Sequence, residues 1–157
     1  MTNSITEMAI ETPLPDDFIQ TNSTHQEVIE TVIGSLQQND TAMVQHDEQG
    51  YVWKFHYGSV ETFVQLTGET DEDLLTVWAP VLQLPAKDQL GLMRKLLEMN
   101  WGETFETCFG IMQDKVVVLT QRTVADLSPG EISRAITLVA TIADDNDEIL
   151  KETFGGT

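Results

Sequence analysis

The chain has 157 residues, a hydrophobic fraction of 41% and a mean hydropathy of −0.15, the composition of one globular domain with a substantial core. Its formal net charge of −18 and pI near 4.1 set it against DNA, RNA and anionic membrane surfaces, which select basic patches, and of its scattered Lys and Arg only Arg94 and Lys95 are adjacent. A single cysteine, Cys108, leaves no intrachain disulfide and no multi-cysteine zinc site; with no signal sequence and no apolar run near the roughly 20 residues of a membrane helix, the chain reads as cytoplasmic.

Residues 1–22, with Pro13, Pro15, Asp16 and Asp17 and little periodicity, read as a flexible arm before a single domain over 23–157. Thr24-x-x-Glu27 fits a capping box, and Val28, Ile29, Val32, Ile33 and Leu36 then recur on one face. This predicts a first helix, ended by Gln38, Asn39 and Asp40. A β-meander follows, with a short strand over Ala42–Gln45 and a turn over Asp47–Gly50. Tyr51, Trp53, Phe55 and Tyr57 then alternate with Val52, Lys54 and His56. Gly58-Ser59 predicts a tight turn or a bulge. Val60, Thr62, Val64 and Leu66 form the next one-sided strand, opposed by Glu61, Phe63 and Gln65, and Thr67–Asp73 is a loop.

The segment Leu74–Leu84, LLTVWAPVLQL, is the strand after that loop, and it is apolar on both alternating sets. Leu74, Thr76, Trp78, Pro80, Leu82 and Leu84 form one set; Leu75, Val77, Ala79 and Val81 form the other. Pro80 cannot donate a ladder hydrogen bond, which favours an edge position or a bulge. Pro85 suits the first position of a second helix, which carries Leu90, Met93, Leu96 and Leu97 at helical spacing and ends near Asn100–Gly102. A hairpin comes next: Phe105, Thr107, Phe109 and Ile111 alternate, Gln113-Asp114 turns the chain, and Val116–Leu119 returns it. Ser128-Pro129-Gly130-Glu131 combines an N-cap serine, a proline at N1 and a glutamate at N3, so a third helix starts there. Its stripe of Ile132, Ala135, Ile136, Val139, Ile142 and Ala143 is interrupted by Asp144–Glu148, and Gly155-Gly156 ends it. The order is α-β-β-β-β-α-β-β-α. Short strand-to-strand links predict an α+β fold: a mostly antiparallel sheet of about five to six strands with three helices on one face.

Residue chemistry points away from catalysis. His25, His46 and His56 have no second His or Cys at metal-ligand spacing and read as polar surface residues. Asp144–Glu148 and Asp71–Asp73 lack the glycine and terminal glutamate of a calcium loop. Cys108 has no basic sequence neighbour to activate it and reads as a structural thiol. No nucleophile elbow, phosphate loop or dinucleotide fingerprint is present. No catalytic residue, cofactor or metal ligand is assigned, and no enzyme activity is expected.

The remaining signal is apolar surface beyond what one helical layer covers. Phe63, Leu75, Val77, Val81, Val116 and Val118 are expected on the less protected sets, and such patches mark protein contacts. Phe63, Leu75, Val77, Trp78 and Val81 are therefore the candidate partner surface. Leu90, Met93, Leu97 and Trp101 of the second helix, with Phe109 and Val117 of the hairpin, are the candidate dimer contacts. Trp53, Phe55 and Tyr57 support an alternative, a regulatory sensor holding a small apolar or metabolite ligand, although aromatics at strand spacing usually form plain core.

The segments WKFHYGSVETFVQLTG (Trp53–Gly68), LLTVWAPVLQLP (Leu74–Pro85), RKLLEMN (Arg94–Asn100) and VADLSPGEI (Val124–Ile132) together resemble the bacterial YbjN-domain family, over about Val52 to Ala143. The resemblance implies a fold similar to type III secretion chaperones, a curved antiparallel sheet packed with helices that commonly forms homodimers. It implies a sensory-transduction or stress-related regulator and brings no catalytic residue or cofactor. The expectation is a non-enzymatic cytoplasmic homodimer that binds another protein, as a chaperone-like or regulatory adaptor.

Overall fold

The computed structural model describes residues 23–37 and 43–156. The expected arm over 1–22 and the helix stop at Gln38–Asp40 lie outside the described residues. Among the described residues three helices, α1 (His25–Leu36), α2 (Gln89–Gly102) and α3 (Pro129–Phe154), accompany six strands, β1 (Met43–Asp47), β2 (Gly50–Tyr57), β3 (Val60–Leu66), β4 (Leu74–Gln83), β5 (Cys108–Met112) and β6 (Lys115–Thr123). The element order is the one the sequence predicts. All strand pairs are antiparallel in one open sheet of order β1-β2-β3-β4-β6-β5.

Local chemistry sets the boundaries. Thr24 caps α1 by accepting from the Glu27 N–H at 3.1 Å, and Ser128 caps α3 by accepting from the Glu131 N–H at 3.1 Å. α3 runs unbroken to Phe154, so Asp144–Glu148 interrupts neither its backbone nor its packing: Asp147 is fully buried. The second helix differs from expectation. Pro85 belongs to the connection, joined to Leu84 by a cis peptide, and α2 starts at Gln89, where the Asp88 carboxylate accepts from the Gly91 N–H at 3.1 Å. The β5–β6 hairpin is also shorter than predicted. Phe105 has φ +52 and is exposed before the strand, and the ladder begins at Cys108. Gln113 and Asp114 both take positive φ, as a two-residue type I′ turn requires.

The core lies between the sheet and α1 and α3. α3 crosses β4 and packs on β3 and β6 as well, and α1 packs on α3 through Ile29, Val32 and Ile33. α2 runs beside β5 and sends Leu92 and Leu96 into the same core. Trp53, Phe55, Val64, Leu66, Leu75, Val77 and Ala79 form the covered face, none more than 1% exposed. This corrects the expectation for β4 and β6. Leu75, Val77, Val81, Val116 and Val118 lie under the helices, and the other parity, with the half-buried Phe63, Trp78 and Leu119, faces away from the described helices. β4 is central, so the bulge reading of Pro80 holds and the edge reading does not. The β4–β6 register shifts between Pro80 and Leu82, and Val81 and Leu82 are both buried, because the extra residue returns Leu82 to the covered side.

Candidate interaction surface

Among the described residues no helix covers the second face of the sheet. The cross-strand register aligns Lys54 with Phe63, Phe63 with Trp78, Trp78 with Leu119 and Leu119 with Cys108, a row that spans five strands. The Phe63 and Trp78 rings stack with centroids 5.3 Å apart and planes 8° from parallel. Lys54 Nζ stands 6.0 Å from the Phe63 centroid and is 3.2 Å from Glu61. Opposed aromatics on neighbouring strands stiffen a sheet, and their solvent-facing side offers a flat, weakly hydrated shelf. A polar row beside it is closed by the Gln121 amide donating to the Thr76 hydroxyl at 2.9 Å. On the other flank, Val117 is opposite Pro80 and Gly110; it is 1% exposed yet lies outside the main core cluster.

The shelf ends in a groove of about 470 Å³, bordered by Phe63, Trp78, Pro80, Met112, Lys115 and Lys151. The β2–β3 turn forms its wall. Gly58 takes φ +56 at the first central position of that turn, and an added Cβ would collide with the Asp144 carboxylate. The Ser59 N–H donates to Asp144 Oδ1 at 2.9 Å. The single Ser59 hydroxyl lies 3.0 Å from Asp144 Oδ1 and 2.8 and 2.9 Å from the two oxygens of the fully buried Asp147. Lys151 Nζ is 3.4 Å from Asp147 Oδ2. The turn is thereby fastened to α3, and the groove holds its shape against the helix.

A second apolar surface lies on α2. Leu90, Leu97 and Trp101 are 84%, 70% and 93% exposed on one helical stripe that includes the half-buried Met93. A smaller groove of about 280 Å³ runs between this helix and β5, lined in part by Met93, Leu97, Phe109 and Ile111. The β5 edge beside it is partly closed. Asn100 accepts from the Phe109 N–H at 2.7 Å and donates to the Phe109 carbonyl at 3.3 Å, in the place of a strand partner.

Of the predicted partner residues, Phe63 and Trp78 come together on the open face, while Leu75, Val77 and Val81 are core. Of the predicted dimer residues, Leu90, Met93, Leu97 and Trp101 share the α2 stripe, while Phe109 and Val117 are buried within the protomer. Of Trp53, Phe55 and Tyr57, on which the ligand reading rests, Tyr57 is half-buried at the end of β2. Trp53 and Phe55 are buried to within 1% under the helices, and the indole N–H of Trp53 points to Glu30 Oε1 at 3.4 Å. Sequence reasoning missed Lys54, Pro80, Leu119, Met112 and Lys115. The alternation of Lys54 and Glu61 with the buried residues of β2 and β3 identifies the open parity, and extending that parity through β4 would have found them. Among the described residues no three His, Cys, Asp or Glu side chains are placed to hold a metal ion, and Cys108 is exposed on the open face.

An open antiparallel sheet with helices on one face, in this strand order, is the type III secretion chaperone-like fold. It is shared with a chain of "Crystal Structure of the ExsC-ExsE Complex", at a TM-score of 0.57 and 19% identity over 80% of this chain and 94% of the other. It is shared as well with a chain of "Structure of the HopA1-SchA Chaperone-Effector Complex", at a TM-score of 0.54 and 10% identity over 78% and 92%. The chain belongs to the YbjN family, described as "Putative bacterial sensory transduction regulator", which it matches over residues 25–152. No curated protein sequence matches it.

Proposed function

We propose that this protein is a non-enzymatic, cytoplasmic protein-binding module that acts as a homodimer, in the manner of a chaperone or regulatory adaptor. The observation that carries the reading is the half-buried Phe63–Trp78 shelf, which none of the described helices covers, on a sheet whose other face is packed. Aromatic side chains on a flat apolar surface supply binding energy through desolvation. Support comes from the family description and from the fold shared with a chain of a chaperone–effector complex. The α2 stripe of Leu90, Met93, Leu97 and Trp101 is the surface assigned to the dimer, because exposed apolar residues at helical spacing need a cover.

Affinity capture from the native cell tests the partner, with wild type compared against Trp78→Asp. The folded variant is expected to lose its partner, and equal capture dismisses the shelf. Light scattering tests the dimer: a monomer at tens of micromolar protein refutes it, and Leu97→Asp with Trp101→Asp is expected to shift a dimer to monomer.

A further inference from the structure

The groove beside the Phe63–Trp78 shelf has an unusual charge for this molecule. The whole chain carries −18, yet the groove is bordered by two ammonium groups, Lys115 and Lys151, and one carboxylate, Glu61. That carboxylate already has a cation, Lys54 at 3.2 Å. Lys115 is exposed and makes no ion pair among the described residues. Lys151 reaches Asp147 only at 3.4 Å, and that carboxylate also receives the Ser59 hydroxyl. The acidic loops of the sheet, Asp47-Glu48 and Glu69–Asp73, lie at the opposite end of the strands, where β1 meets β2 and β3 meets β4.

We propose that this groove selects an acidic, aromatic or large-apolar peptide segment: extended chain whose apolar side chain lies on the Phe63–Trp78 shelf while a neighbouring carboxylate meets Lys115 and Lys151. The proposal deepens the function above and rests on the open face being the binding surface. The stacked rings supply a flat contact for an apolar side chain. Lys115 makes no ion pair among the described residues and Lys151 holds Asp147 only at 3.4 Å, so both ammonium groups can meet an added anion in competition with Glu61, Asp144 and Asp147, and the low polarity of the shelf strengthens that attraction. A basic segment would lose these contacts and meet two ammonium groups. The groove opens along the sheet onto Leu119 and Pro80, so a chain can run through it and continue over the face.

Fluorescence anisotropy at low salt tests this with a labelled ten-residue peptide alternating Phe or Leu with Asp or Glu, and its counterpart with Asn and Gln in place of the acids. The acidic peptide is expected to bind about five- to tenfold tighter, the effect of two partly exposed ion pairs. The preference should vanish in Lys115→Glu with Lys151→Glu. It should persist in Arg94→Glu with Arg134→Glu, exposed positions that line no part of the groove and change the net charge equally. Loss of the preference in both variants would assign it to the overall field and overturn the proposal. Equal binding of both peptides, abolished by Trp78→Asp, overturns it while leaving the open face as the binding surface. Displacement of the peptide by micromolar phenylacetate overturns it in favour of a small-molecule site. Binding of neither peptide, or binding indifferent to Trp78→Asp, overturns this proposal and the surface it rests on.

Discussion

Ser59→Ala isolates the fastening of the β2–β3 turn to α3. The substitution removes one hydroxyl and keeps the Ser59 N–H bond to Asp144 at 2.9 Å. It leaves Asp147, fully buried, with Lys151 at 3.4 Å as its remaining partner among the described residues. One hydroxyl proton serves three nearby carboxylate oxygens, so the structure offers one strong hydrogen bond, not three. A hydrogen bond to a charged acceptor contributes about 1.5–3 kcal/mol, and stranding a buried acceptor places the cost in the upper half of that range, about 2–3 kcal/mol. For a chain of this size that lowers Tm by about 4–12 °C. Urea unfolding monitored by circular dichroism, at constant m-value, measures it, and calorimetry gives the Tm. A double-mutant cycle with Asp147→Asn should return a coupling of about 1–2 kcal/mol. A Ser59→Ala loss under 0.5 kcal/mol, or additive single mutants, would show that solvent satisfies Asp147 and that the turn is not held by this contact.

Further expectations follow from other contacts. Val77→Asp, in the covered face of β4, should cost more than about 4 kcal/mol and prevent folding, while Trp78→Asp on the open face should leave a cooperative melt; matching melts would refute the assignment of faces. Asn100→Ala strands both backbone groups of Phe109 at the β5 edge, so about 1–2 kcal/mol of stability should be lost and concentration-dependent association should appear in sedimentation velocity; a variant that stays unassociated refutes the edge-closing role. Asp73 accepts from the Thr70 hydroxyl at 2.7 Å, the Thr70 N–H at 2.9 Å and the Thr67 hydroxyl at 2.9 Å. These bonds, the Thr70 hydroxyl foremost, hold its pKa below the ordinary value. Because the folded value is depressed, the contribution of this loop is present above about pH 4 and is lost as acid titrates the folded carboxyl. An NMR titration should show the Asp73 midpoint rising in Thr70→Ala, and an unmoved midpoint would refute the cause.

The order of elements was legible because its signals are local. Thr24 with Glu27 and Ser128 with Glu131 are caps that need no tertiary context, and the alternation from Tyr51 to Tyr57 carries one parity from end to end. The faces of β4 were not legible, because both sets are apolar and periodicity cannot say which one a helix will cover. The bulge at Val81 made this harder: Leu82 counts with Trp78 by alternation but is buried on the covered side. Pro85 misled for a different reason, since a proline suits both a helix start and a connection, and the Asp88 bond to Gly91 decided between them. The groove depends on Lys151, Lys115 and Trp78, which are far apart in sequence and meet only through the fold.

The pleat of β4 divides labour between two histories of change. Val77 and Ala79 are locked among helices, whereas Thr76 and Trp78 lie on the opposite face, outside the core cluster. Where the open face is the binding surface proposed above, Phe63, Trp78 or Lys115 can be exchanged to change the partner while the same domain is kept beneath it. On that proposal, recognition and folding place their demands on alternate residues of one strand, so the architecture can be kept while the partner is replaced.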